Sequence, residues 1–417
     1  MSKQNPKIHI IGAGISGLIA AKVLEDKGYK PTIIEASDRV GGRVKTDIVE
    51  GYQLDHGFQV LLEAYPLAKK YLDYEKLELQ KFLPGAKIFK NRKSQILGDP
   101  TRSLKLAFPT LRSSVGTIGD KFKILKLAKD LKKKSISEIF ESPELTTIEY
   151  LRERGFSVQM NSEFFKPFFA GIFLEPELST SSRMFEFVYK MFGEGMATLP
   201  KAGMESIPKQ LKDSLKQTQF LFDTKVTSIV DTKITLDNGT DLETDYTIIA
   251  TAPSPMVPNL RGQGLSWKSC DTLYFEVDAP KDSKPLISLV ADENALINNL
   301  FYLNTLDVAQ KGKKELLSVT VVKDHDLSDQ GLIATIKAEL STYCNIVGAQ
   351  FLKHYSIKKA LPKLDNLKND CHPSEMQLTS RVFVAGDHTL NTSLNAAMQS
   401  GERAAEAVIE KTEGLLK

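Results

Sequence analysis

The chain has 417 residues, of which 55 are Lys or Arg and 52 are Asp or Glu, and a formal charge of only +3 excludes a strongly basic protein that coats nucleic acid. With 41% hydrophobic and 26% charged residues, 26 Gly and 18 Pro, the composition is that of a folded globular protein. At about 150 residues per domain the length predicts two or three domains. Near-neutrality conceals one uneven stretch: Thr101 to Lys134 carries ten Lys or Arg against two Asp, a local +8 that leaves −5 on the rest. Cys270, Cys344 and Cys371 form no CxxC, so neither a disulfide framework nor a redox dithiol is indicated, and a reducing, cytoplasmic location is expected. Six residues precede the first apolar strand, too few for the basic, apolar and cleavage regions of an export signal.

In chain order, Lys7 to Ile11 reads as a short buried strand that runs into Gly12-Ala13-Gly14-Ile15-Ser16-Gly17. A helix with a broad apolar face follows from Leu18 to Lys27, and a second strand, Pro31 to Ile34, closes on Glu35. In such a βαβ unit Gly12 makes the tight turn, Gly14 lets the backbone approach a pyrophosphate, and Gly17 brings helix onto strand. The helix N-terminus, entered through Ala13 and Ser16, offers free N–H groups and a positive dipole end to phosphate. Glu35, 21 residues after Gly14, is placed to accept hydrogen bonds from ribose hydroxyls. The unit therefore predicts a bound dinucleotide. Directly after it, Arg39-Val40-Gly41-Gly42-Arg43 sets a glycine pair between two guanidinium groups able to clamp phosphate oxygens.

Further along, Phe122, Leu125, Ala128 and Leu131 recur at three-residue steps among lysines, predicting an amphipathic helix with a cationic rim. Either that helix packs its apolar face on its own domain, or the 101–134 segment docks on an anionic membrane surface. Eight of the 21 Phe fall between Met160 and Phe192, which suits either a helical core or an apolar substrate pocket. A β pattern follows over Lys225 to Ile229 and Lys233 to Leu236, with an Asn238-Gly239 hairpin signal, and then over Tyr246 to Ala250. Near the end, Arg381 to Ala385 is a buried strand ending in Gly386-Asp387, and a helix rich in small residues opens at Ser393. No second GxGxxG follows a strand, so a separate NADPH domain, and with it a disulfide reductase, is not expected. HxxH, HExxH and GxSxG are absent, so neither a metal site nor a serine nucleophile is predicted.

Several of these segments resemble motifs of the superfamily of flavin-containing amine oxidases, phytoene desaturases and protoporphyrinogen oxidases: the glycine loop, the RxGGR run at Arg39–Arg43, Leu199–Leu211, and Gly386-Asp387 with the helix beyond it. The resemblance implies FAD, with Glu35, Ala36, Gly42 and Arg43 at its ribose and pyrophosphate and Val226 touching the adenine through its backbone. It places Gly57 and Gln59, in the run Leu54 to Val60, under the flavin. It also places Asp387 on the ribityl chain and Leu394, Asn395 and Ala397 along the ring. Monoamine oxidases bind flavin covalently through a Cys upstream of this last helix, whereas no Cys follows Cys371, so the FAD is expected to be non-covalent.

The fold expected is α/β: a discontinuous Rossmann-type FAD-binding domain of residues 1–81, 198–261 and 362–417, plus an α+β substrate-binding domain of 82–197 and 262–361. The expected function is an FAD-dependent oxidoreductase of desaturase or oxidase type, removing hydride equivalents from a hydrophobic, polyene- or porphyrinogen-like small molecule. An amine oxidase is the alternative, for which Phe301 and Tyr302 could supply an aromatic pair. A non-catalytic prenyl-lipid binder, as in Rab escort relatives, is more remote because Gly17, Arg43 and Asp387 are retained. His56 and His388 are the candidate catalytic bases, although hydride removal from an activated carbon needs no obligatory base and a structural role suits both.

Overall fold

The computed structural model describes residues 6–257, 260, 264–280 and 284–416, so the expected domain boundary at 261 and 262 lies outside the described residues. Its first layer is a five-stranded, all-parallel sheet in the order Gln219–Leu221, Thr32–Ile34, Ile8–Ile11, Tyr246–Ile249, Val382–Val384. Four of the strands are short and mostly buried, as a parallel sheet covered on both faces requires, and only the edge strand Gln219–Leu221 is largely exposed. From the central Ile8–Ile11 strand the sheet grows to Thr32–Ile34 on one side and Tyr246–Ile249 on the other, which creates a crevice beyond the carboxyl ends of the strands. Gly12, Glu35, Ala250 and Ala385, the residues that follow four of these strands, all emerge at that edge.

Two helices, Ile15–Asp26 and Leu394–Glu413, pack against each other beside this sheet. Gly401 permits the crossing, since a Cβ there would stand 2.3 Å from the Ser16 carbonyl oxygen. The predicted hairpin forms as a three-stranded antiparallel sheet, Val226–Val230, Lys233–Leu236 and Asp241–Glu243.

The second large layer is a seven-stranded sheet in the order Gln350–Pro362, Trp267–Val277, Glu315–Val321, Ile297–Tyr302, Ile287–Val290, Gly85–Lys90, Lys93–Gly98. All its pairings are antiparallel except Ile287–Val290 with Gly85–Lys90, which joins segments about 200 residues apart in the chain. Every residue of Glu315–Val321 is buried, so both faces of the strand are used. Leu317, Val319 and Val321 pack with Leu332, Ile336 and Leu340 of the helix Asp329–Cys344, and Thr320, pointing the other way, lines a large cavity.

Helices between Ala107 and Glu194 cover that cavity. Ile118–Lys133, Ile136–Glu141 and Thr147–Glu153 each start with a capping box, Thr117 with Asp120, Ser135 with Glu138 and Thr146 with Glu149. The Phe-rich segment is a helix, Val158–Phe173, interrupted by one π turn at Asn161–Phe165. Pro167 explains the widening, because its missing N–H and its ring cannot be accommodated by a regular i to i−4 ladder.

Candidate functional site

A cavity of about 1950 Å³ runs from the carboxyl edge of the parallel sheet to the helical cover. At the sheet end it is lined by Gly12, Gly14, Ser16, Glu35, Gly41, Gly42, Arg43, Gly386, Asp387, Leu394 and Ala397. Residues drawn from two distant parts of the sequence thus form one wall. Gly14 caps the Ile15–Asp26 helix without any side-chain hydrogen bond, and a Cβ added to it would meet nothing within 4 Å. Gly14, Ile15 and Ser16 at the start of that helix border the cavity, where first-turn N–H groups suit a phosphate. Gly42 closes the other side with φ +60°, and a Cβ there would lie 3.3 Å from Gly14 Cα.

Glu35 is fixed by its neighbours: Oε2 accepts the Ala13 N–H at 2.7 Å and Oε1 accepts the Ser37 N–H at 2.9 Å. Asp387 is almost wholly buried and meets Arg43, Nη2 to Oδ1 2.5 Å, while Arg43 Nη1 donates to the Ala360 carbonyl and the guanidinium lies 5.5 Å from the Trp267 ring centre. Of the two flanking arginines only Arg43 lines the cavity. Arg39 is held by Asp47 at 2.7 Å and Glu205 at 3.1 Å.

Other expected positions lie behind this wall or away from it. Ala13 and Gly17 are buried under the loop, and a Cβ on Gly17 would strike the Gly12 carbonyl oxygen at 2.1 Å. Ala36 is exposed outside the cavity, Val226 is buried in a separate apolar cluster, and Asn395 accepts the Leu67 N–H at 3.0 Å. Gly57 and Gln59 line the cavity, with Gln59 donating to the carbonyls of Arg43 and His56.

His56 lines the cavity too, but its Nε2 pairs with Asp47 at 2.8 Å and its ring lies 4.5 Å from that of Tyr355. Burial would raise the Asp47 carboxyl, yet hydrogen bonds from His56, Tyr355 and Arg39 outweigh it and hold the group at about 2. His388 packs on Gly386, and burial, opposed by Asp387, lowers its pKa and favours the neutral ring.

Sequence reasoning missed Trp267 and Lys268, which line the cavity from the start of the Trp267–Val277 strand. Lys268 Nζ donates to the Phe173 carbonyl at 2.9 Å and to Thr180 Oγ1 at 3.0 Å, and burial lowers its pKa. The only local signal was an ammonium set in an alternating strand. Cys270 is nearby, but burial pushes its thiol up to about 12.

The cavity continues to the Phe-rich helices, where Phe164, Phe168, Phe169, Phe173 and Phe192 line it. Phe165, Phe185 and Phe187 are fully buried core, and Phe169 is fully buried although it borders the cavity, so the cluster serves as both core and wall. Phe301 is buried against Phe82 at 4.6 Å, and neither it nor Tyr302 lines the large cavity.

A parallel sheet whose carboxyl edge carries glycine loops, an open helix N-terminus and a fixed acid is the frame of a dinucleotide-binding enzyme. The chain belongs to the flavin-containing amine oxidoreductase family, which it matches over residues 15–409. It is 23% identical to the L-amino-acid oxidase of Echis ocellatus across 98% of this chain and 90% of that protein. The match to the L-amino-acid oxidase BmooLAAO-I of Bothrops moojeni is 31% identical but spans 38% of this chain and 29% of that one. Similar solved structures include a protein described as a protoporphyrinogen oxidase from Exiguobacterium sp. 255-15, with TM-score 0.68, 18% identity and coverage of 98% of this chain and 99% of the other. The cyclohexylamine oxidase of Brevibacterium oxydans IH-35A has TM-score 0.69, 16% identity and coverage of 98% and 100%. The protein is an FAD-dependent oxidoreductase, and its FAD is non-covalent.

Proposed function

We propose that the protein removes a hydride equivalent from a C–H bond of a hydrophobic, polyene- or porphyrinogen-like molecule. The observation that carries this reading is the continuity of the glycine-lined wall with a pocket walled by Phe164, Phe168, Phe169, Phe173 and Phe192. FAD, when bound, supplies the hydride acceptor. Gly12, Gly14, Gly42 and the N-terminus of the Ile15–Asp26 helix would hold its pyrophosphate, Glu35 a ribose, and Arg43 with Asp387 the chain toward the ring. The N-terminus of the Leu394–Glu413 helix favours negative charge at its end. The aromatic wall excludes water and orients an apolar substrate by shape. Lys268 sets an amine beside that wall, and its bonds to Phe173 and Thr180 hold it in place.

The second reading is oxidation of an amine or amino acid, supported by the activities named for the L-amino-acid oxidases and for cyclohexylamine oxidase. Anaerobic bleaching of the flavin near 450 nm separates the two. We expect bleaching by polyenes or porphyrinogens and none by amines or L-amino acids; the opposite result would reverse the ranking.

A further inference from the structure

The basic segment folds differently from its sequence pattern. In the helix Ile118–Lys133 the inward face is Asp120, Ile124, Leu127 and Leu131, whereas Phe122 and Leu125, expected on the same face as Leu131, point out. Ile118, Phe122 and Leu125 stand at i, i+4 and i+7 and are 69%, 68% and 40% exposed. The preceding turn and helix, Leu104 to Arg112, add Leu104, Phe108 and Leu111 at 87%, 65% and 73%. Six of the fifteen exposed large apolar side chains among the described residues thus fall within 22 consecutive positions. A concentration of that kind marks an interaction surface.

Cations surround it. Lys105, Lys126, Lys129, Lys132 and Lys133 form no ion pair or side-chain hydrogen bond among the described residues, and Arg112 lies 4.9 Å over the Phe108 ring. Lys129 continues the outward line of Ile118, Phe122 and Leu125, and Lys126 and Lys133 flank it on one side, Lys132 on the other. An apolar tip with an unpaired cationic rim suits a surface that is anionic outside and hydrocarbon within. The edge that adjoins this outward line on the Lys132 side, through Lys121, Ile124, Ala128 and Leu125 itself, borders the large cavity, and Thr110 of the preceding helix borders it as well. No helix among the described residues is long and apolar enough to cross a membrane, so attachment would be to one leaflet.

We infer that Leu104–Lys133 docks on an anionic phospholipid bilayer, its apolar side chains inserted at the headgroup level and its lysines on lipid phosphates. On the proposed reading of a hydrophobic substrate, this sets the cavity against the leaflet in which such a substrate dissolves. The docking itself stands on the face alone.

The test is co-sedimentation of the FAD-loaded protein with vesicles of phosphatidylcholine, with or without roughly a third phosphatidylserine. Binding should require phosphatidylserine and weaken with salt. It should fall at least about tenfold in Phe108→Ser/Leu111→Ser/Phe122→Ser and in Lys126→Glu/Lys129→Glu, none of which lines the cavity. Flavin content and melting temperature should match the parent, which shows the variants are folded. Failure to sediment with anionic vesicles would overturn the inference, as would undiminished binding by the triple variant. So would a parent dimer that the triple variant dissociates, since a second copy would then be the occupant. Vesicle binding without flavin bleaching by any hydrophobic substrate would leave the docking intact and sink the substrate reading instead.

Discussion

Arg43 and Asp387 stand 344 positions apart and meet in an ion pair of 2.5 Å between Nη2 and Oδ1. Asp387 is buried and Arg43 half-exposed, so the pair ties the glycine turn after the second strand to the end of the last one. Arg43→Ala would leave a buried carboxylate unpaired at the cavity wall. We expect FAD to bind about 10- to 100-fold more weakly in that variant. Arg43→Lys should recover only part of the loss, because an ammonium cannot serve Asp387 and the Ala360 carbonyl with one planar fork. Fluorescence titration of the apoprotein with FAD measures this, and an unchanged affinity would remove Arg43 from the cofactor site.

Gly42→Val tests the cradle by shape alone. The position has φ +60°, which a β-branched residue resists, and a Cβ would sit 3.3 Å from Gly14 Cα. The position is exposed, so the fold should survive while flavin per chain falls by roughly tenfold. Absorbance of the purified protein gives the answer, and full yellow colour would place the pyrophosphate elsewhere.

The Asp47 carboxyl is held at about 2, below its ordinary 3.8. A depressed acid stabilises the folded state at pH above the ordinary value, and the contribution is lost as pH falls from about 4 through 2. With the side chain 31% exposed, solvent screening leaves about 1–2 kcal/mol. Asp47→Asn should lower the urea midpoint at pH 7 and flatten its fall below pH 4. His56→Gln should behave as a milder version, with turnover within a few-fold of the parent. A loss of roughly 100-fold or more in kcat at unchanged stability would make His56 a base after all.

The glycine loop proposed to hold phosphate was legible as a turn between strand and helix because its signals are local. Gly12, Gly14, Glu35 and Gly42 sit within one short run of turn, helix and strand, and the Glu35 carboxylate is held by Ala13 and Ser37 of the same run. Asp387 was legible for the same reason, at the end of a buried strand. Its pairing with Arg43 was not, nor was the diversion of Arg39 to Asp47 and Glu205, because side-chain partners across the fold leave no periodic trace. The parallel pairing of Gly85–Lys90 with Ile287–Val290 was equally hidden, since nothing local specifies a partner about 200 residues away. The Ile118–Lys133 helix shows a different limit. Its apolar residues form two stripes, Ile124-Leu127-Leu131 and Ile118-Phe122-Leu125, and periodicity alone does not say which one the fold buries.

Phe168 separates the hydrophobic-substrate reading from its rival. It stacks on Phe164 with ring centres 5.5 Å apart, touches Phe192 at the same distance and borders the cavity while remaining partly exposed. Phe168→Ala removes wall rather than deep core, so it should cost about 1–2 kcal/mol in stability, less than a fully buried Phe. A long apolar substrate would lose binding equally in ground and transition states, raising KM by about 5- to 20-fold with kcat little changed. A small amine held near the ring would not reach Phe168, and neither constant would then move. Steady-state kinetics with the substrate class identified by flavin bleaching decides between them, and Phe164→Ala should repeat the result because the two rings form one surface.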